Sequence, residues 1–140
     1  MKSKLFLVLA IIFCFTLSAS CEKQRRPSRY LITDGYIGWV KVYFKVKDSP
    51  ALPIENGFYL FKFPASGVLT TSSEMEYGWA QDQYFYYSGE TRRQLPSTGW
   101  GGGGMIWAEY NGQTTVPPDN EPYYQGFFVG TEAEYKDYGR

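Results

Sequence analysis

The feature that most constrains this chain is a pair of strand-forming runs within residues 35–71. In the first, Val40, Val42, Phe44 and Val46 take alternate positions, and the intervening Trp39, Lys41, Tyr43, Lys45 and Lys47 mix rings with charge. A period of two puts the whole first set on one side of an extended backbone, so the run predicts a strand with one dry face. In the second, Tyr59, Phe61 and Phe63 point one way and Phe58, Leu60 and Lys62 the other. The link between them carries Pro50, Pro53 and the turn pair Asn56-Gly57. Pro64 and Gly67 close the second run, and residues 68–71 begin a third strand.

The rest of the chain keeps this all-β tempo. Tyr30-Leu31-Ile32 is a short strand candidate, and residues 84–87 form another with rings on both faces, ended by Ser88-Gly89. Arg92, Arg93 and Pro96 predict an exposed crossing; residues 105–110 form the next strand, ended by Asn111-Gly112, and residues 123–129 the last. Thr131-x-x-Glu134 is a capping box, in which hydroxyl and carboxylate each satisfy an orphan backbone N–H, so a short C-terminal helix follows, with Gly139 past its end. The expected architecture is an antiparallel β-sandwich of about seven strands with a short C-terminal helix, formed by residues 30–140 as a single domain.

The first twenty residues stand apart. Lys2 and Lys4, an apolar run over residues 5–15 and the small residues Ser18-Ala19-Ser20 read as a secretory signal peptide. Without the two lysines, the 14 basic and 14 acidic residues become 12 against 14, a surface that implies neither nucleic acid nor a strongly anionic substrate. Cys14 is lost with the signal, so Cys21 remains alone and no intramolecular disulfide can brace the core. Residues 21–29, CEKQRRPSR, read as a polar tether whose cluster Lys23, Arg25, Arg26 and Arg29 either rests on anionic head groups or is simply solvated.

Three resemblances add to this reading. The run LSASCEK looks like the export ends common in lipoproteins of the Bacteroidetes type, which implies that Cys21 is a lipid acceptor and that the protein sits in the cell envelope on a membrane anchor. Leu17 lies four residues before the Cys, with Ser18 at the usual leucine place, and the alternative is plain cleavage after Ser20 that leaves a free thiol. Residues 34–71 loosely resemble the carboxypeptidase regulatory-like or transthyretin-like (prealbumin-like) β-sandwich, through the long strand, the Pro-containing loop and Asn-Gly-Phe-Tyr-Leu-Phe-Lys-Phe-Pro-x-x-Gly. Over its mature length the chain resembles a family of small, uncharacterised exported bacterial proteins, a domain of unknown function. The blocks that carry this are Arg29-Tyr30-Leu31-Ile32, Gly35-Tyr36-Ile37-Gly38-Trp39-Val40, Tyr77-Gly78-Trp79-Ala80, the run Gly99 through Trp107, and Phe128-Val129-Gly130-Thr131.

The chain has no histidine, which removes Ser-His-Asp and Cys-His machinery and His-based zinc sites. A paired-carboxylate site, a Ser–Lys arrangement or no catalysis remain. Carboxylates stand at Glu74, Glu76, Asp82, Glu90, Glu109, Asp119 and Glu121, and two of them flanking a sugar-sized cleft would make a small carbohydrate-active enzyme. No spacing singles out a pair, so the expectation is a non-enzymatic binding or structural module without cofactor or metal. Asp119-Asn120-Glu121 lacks the alternating oxygen ligands of a calcium loop.

Glycines 101–104 are followed by Met105 and Ile106, where a phosphate cradle needs Lys and Ser or Thr. They imply either close packing of backbone against Trp100 or Trp107, the reading taken here, or a loop that admits a partner. Of the four tryptophans, at least two are expected to be structural; Trp39 and Trp100 are the better candidates for exposure. Trp39, Trp100, Gly102 and Gly103 are thus the possible ligand-binding residues, for a protein or carbohydrate partner.

Overall fold

The computed structural model describes residues 23–113 and 123–138. The signal segment, Cys21, the Asp119-Asn120-Glu121 triplet and Gly139 lie outside the described residues. Two sheets form the molecule. One has the order β3 (Ile54–Glu55), β4 (Phe58–Lys62), β1 (Ser28–Thr33), β6 (Gln83–Ser88), β7 (Thr91–Leu95). The other has the order β5 (Val68–Thr70), β2 (Gly38–Tyr43), β9 (Tyr123–Val129), β8 (Ile106–Gln113). A seven-residue helix, α1 (Glu132–Tyr138), follows β9.

The all-β sandwich and its terminal helix are as expected, with nine strands among the described residues where about seven were predicted. The sheets are mixed instead of wholly antiparallel: β1 runs parallel to both β4 and β6, and β2 parallel to β5. The chain alternates between sheets, with β1, β4 and β6 in one and the intervening β2 and β5 in the other. A strand that re-enters a sheet after such an excursion is free to run parallel to its predecessor, whereas a tight hairpin forces antiparallel pairing. Tight turns do join β3 to β4 at Asn56 (φ 49°) and Gly57 (φ 84°), and β6 to β7 at Gly89 and Glu90.

Alternation sorted most of the core, but Val46, expected on the same dry face, is only half-buried, because β2 ends at Tyr43 and Lys45 turns the backbone at φ 56°. Val40, Val42 and Phe44 are at most 2% exposed, and Phe61 and Phe63 at most 3%. They meet Tyr30, whose ring stacks on Phe61 at 4.8 Å and on Tyr84 at 5.1 Å and takes the edge of Phe127 at 5.2 Å. β1, only a short candidate in the sequence, is the middle strand of its sheet; Leu31, on the opposite face from Tyr30 and Ile32, is buried too. Burial on both faces is the usual setting of a strand with parallel neighbours.

Three local expectations change. Arg92 and Arg93 lie in β7, an edge strand, instead of a crossing; exposed charge suits such an edge because it discourages further pairing. Asn111 and Gly112 do not end β8, which continues to Gln113, because Gly112 leaves room for the Tyr124 ring across the ladder. The described part of the supposed tether is docked on the domain. Gln24 bridges Trp79, β1 starts at Ser28, and Arg25 and Arg29 are fixed by Asp82 and Glu55.

Helix α1 covers the outer face of the four-stranded sheet. Its capping box forms as predicted, with Thr131 N donating to Glu134 Oε2 at 2.7 Å and Glu134 N to Thr131 Oγ1 at 3.3 Å. Tyr135 and Tyr138 pack on Phe128, which is fully buried beneath them.

Candidate functional site

β7 and β8 are the edges of their sheets, and the sandwich opens beside them. The opening is a cleft of about 1030 Å³ lined by Gln94 of β7, Ile106 and Glu109 of β8, Gln83 and Tyr84 of β6, and by Gln24, Arg25, Trp79, Gln81 and Asp82. A neighbouring recess of about 280 Å³ shares Arg25, Asp82 and Glu109 and adds Glu76, Tyr77 and Gln125.

Glu109 reaches this cleft through a distortion. The β8–β9 register slips between Trp107 and Tyr110, and Ala108 adopts φ 50°. That left-handed conformation costs an ordinary L-residue about 1–2 kcal/mol. Bulges bend a strand and re-aim its side chains, and here the Glu109 carboxylate crosses to the other sheet and accepts the hydroxyl of Tyr84. Burial first, and then the charge of Glu109, push the Tyr84 hydroxyl far above its ordinary pKa. Burial and then Asp82 do the same to Tyr30, whose hydroxyl accepts from Gln125 Nε2 at 2.9 Å.

Asp82, just before β6, is held from three directions. Arg25 donates Nη1 to Oδ1 at 3.0 Å and Nη2 to Oδ2 at 2.6 Å, and the Ser28 amide donates to Oδ1 at 2.8 Å. The two side chains are only 18% and 14% exposed, so bidentate geometry and the extra amide offset their desolvation. The hydrogen bonds that Arg25 donates to Asp82 are the main reason that its pKa is raised.

Of the carboxylates considered for a sugar-cleaving pair, Asp82 and Glu109 therefore share one concave surface and Glu76 joins them in the recess. Glu74 pairs instead with exposed Lys45 at 3.3 Å, and Glu90 lies exposed in the β6–β7 turn. Both oxygens of Asp82 are occupied by Arg25, which leaves it poorly placed to attack a sugar or donate a proton.

The four residues named from the sequence lie elsewhere. Trp39 is 42% and Trp100 62% exposed, and both pack on Tyr135 of α1, at 6.2 and 5.8 Å. They line the outer aromatic surface and not the cleft. Trp107 is the one buried tryptophan, its Nε1 donating to Gly130 O at 2.8 Å. Trp79, as exposed as the two candidates at 52%, is the tryptophan that lines the cleft.

Gly102 and Gly103 are exposed, and no ring crowds the glycine run. The tightness is against Thr98: a Cβ at Gly104 would strike its backbone, and one at Gly102 would lie 3.1 Å from its Cβ. Gly101 and Gly103 are needed for φ of 72° and 73°. The loop is also latched to α1, because Gly101 N donates to Glu132 Oε2 at 2.8 Å. Close packing is thus observed, with backbone in place of rings as the neighbour.

Sequence reasoning included Asp82 and Glu109 among its carboxylates but could not pair them, and it missed Arg25, Tyr84 and the Gln side chains. The chain matches the family of unknown function (DUF6843) over residues 24–137. It belongs to that family. The matched span includes Gln24 and Arg25 of the docked N-terminal segment. No curated protein matches it in sequence. Among solved structures, a 2.75 Å crystal structure of a candidate lipoprotein from Bacillus anthracis is similar, with 26% identity and a TM-score of 0.67 over 76% of this chain and 71% of that one. The family has no assigned function, and the lipoprotein description is that of the Bacillus anthracis neighbour. No helix among the described residues is long and apolar enough to cross a membrane.

Proposed function

We propose that this family member is an exported binding module of the bacterial envelope, acylated at Cys21, whose cleft takes a carbohydrate without cleaving it. The observation that carries the ligand class is the re-aimed Glu109: a strained, non-glycine bulge places an acceptor in a concave surface lined by Gln24, Gln81, Gln94 and by Gln83, whose Oε1 accepts from Arg29 Nε at 3.2 Å. Strain that packing does not require is a mark of functional sites. Amides and carboxylates that converge in a wide polar cleft match vicinal hydroxyls better than they match an apolar ligand. The fold's likeness to a candidate lipoprotein supports the envelope setting.

The alternative, hydrolysis by paired carboxylates, is favoured by the shared position of Asp82 and Glu109 and opposed by the grip of Arg25 on Asp82. A glycan array followed by calorimetry tests the reading. Wild type is expected to bind a glycan that Glu109→Gln loses at least tenfold, about 1.4 kcal/mol, with its fold intact. New reducing ends released by wild type and not by Glu109→Gln would replace binding with catalysis. Unchanged affinity in the variant would remove the cleft as the site. The anchor is checked separately, by fatty-acid labelling that Cys21→Ala should abolish.

A further inference from the structure

We infer that Tyr77 and Trp79, flanked by Lys23 and Arg26, form the face that this domain lays on the bilayer holding its N-terminus. The inference rests on the Cys21 anchor proposed above. Its starting point is that the segment after the anchor is pinned down: Trp79 N donates to Lys23 O at 3.0 Å, and Arg25 N donates to Trp79 O at 3.2 Å. Two residue steps then separate Lys23 from Cys21, a reach of at most about 7 Å. A lipid-bearing Cys21 would hold the Trp79 loop within one head-group layer of the membrane surface.

The loop suits that position. Tyr77 and Trp79 are each 52% exposed, and rings with a polar edge favour the interface between head groups and acyl chains. Lys23 and Arg26 are exposed and have no ion-pair partner among the described residues, whereas Arg25 and Arg29 are used by Asp82 and Glu55. Of the two acids on the same loop, Glu74 is paired with Lys45, while Glu76 accepts the Tyr59 hydroxyl at 2.6 Å and keeps its charge, so the two cations outnumber the one unpaired acid. These two cations, of which Arg26 also donates to Gly57 O at 3.3 Å and leans on the Tyr59 ring at 5.4 Å, complement an anionic leaflet.

Gly78 is what allows the arrangement. A Cβ there would collide with the Lys23 carbonyl, and its φ of 132° is one that side-chain-bearing residues rarely adopt. The Tyr77-Gly78-Trp79 block is thereby explained as two interfacial rings on either side of the residue that docks the anchor segment. Because Trp79 is also a wall of the cleft, the cleft opens beside the head groups.

The competing face is the aromatic surface over α1, with Trp39, Trp100 and Tyr138 exposed. Depth-dependent quenching separates the two. The chain from Cys21 onward has a single thiol, so it can be coupled to a maleimide lipid in phosphatidylglycerol vesicles that contain brominated acyl chains, whatever the cell does to Cys21. Wild-type tryptophan fluorescence is expected to be quenched. Trp79→Phe should lose most of the quenching, and Trp39→Phe and Trp100→Phe should keep it. Gly78→Ala, verified as folded by circular dichroism, should lose it as well, because its anchor segment comes off. Loss that follows Trp39 or Trp100 instead, or no quenching of any tryptophan, would overturn the proposal. A failure of fatty-acid labelling in cells would overturn the anchor alone and leave the vesicle result to be judged by itself.

Discussion

The outer aromatic surface and the cleft teach opposite lessons about exposed residues. Around Tyr135, each ring has another ring as neighbour: Trp107 stacks on it at 5.8 Å and 6°, and Trp100 leans on Trp107 at 4.8 Å. Lys136 closes over Trp100 at 5.3 Å. Trp39, Trp100 and Tyr138 are exposed because they roof a sheet with a seven-residue helix, which is too short to cover it alone. At the cleft, the exposed surface is polar, two charges are mostly withdrawn from water, and a backbone residue is strained. The exposed rings around Tyr135 mark economical packing, and strain with converging polar groups marks the site.

The contrast can be broken by mutation. The largest effect is expected from Arg25→Ala, which leaves Asp82 with a mostly buried charge and only an amide to meet it; urea unfolding should show a loss of about 3 kcal/mol. A loss below that of Trp100→Ala would mean that the polar cluster is no more integral than the aromatic roof. Gly104→Ala should cost about 1–3 kcal/mol as Thr98 is pushed aside. Gly103→Ala, with open space but φ of 73°, should cost about 1 kcal/mol. If thermal melts reversed that order, backbone crowding would not be what holds the loop.

A smaller change sharpens the point about strain. Ala108→Gly relieves the left-handed conformation and should stabilise the fold by up to about 1 kcal/mol, less the extra chain entropy of glycine. Destabilisation would show that the Ala108 side chain contributes packing and that the bulge is not strained.

The smallest effect is on acid stability. Hydrogen bonds from Arg92 and then Arg29 lower the Glu55 pKa to about 2. The sign follows from the depressed folded value: the contribution is present above the ordinary carboxylate pKa and is lost as pH falls through about 2. Melting curves of wild type and Glu55→Gln should therefore differ at neutral pH and converge near the acid end. A gap that persists there would assign the effect to side-chain packing.

Much of the scaffold was legible because it depends on neighbours in sequence. Alternation marked Val40, Val42 and Phe44, and Phe61 and Phe63, as core; Asn56-Gly57 marked a tight turn; Thr131 and Glu134 marked the start of α1. The candidate site was less legible. Asp82 and Glu109 stand 27 positions apart in the sequence, and nothing local to either signals the other. Arg25 read as tether because its carboxylate partner lies 57 positions away. Glu109 lies on the wrong side of a simple alternation count, which the bulge at Ala108 resets.

The sequence by itself determined that this is an all-β domain with a capped C-terminal helix, without histidine chemistry. Local spacing and composition are sufficient for such statements. Tertiary structure decided which strands run parallel, that the N-terminal segment is docked, and that Arg25, Asp82, Tyr84 and Glu109 meet at one mouth. Strand order and direction are set by how two sheets share one core, and a side chain's partner across that core is fixed only when the sheets close.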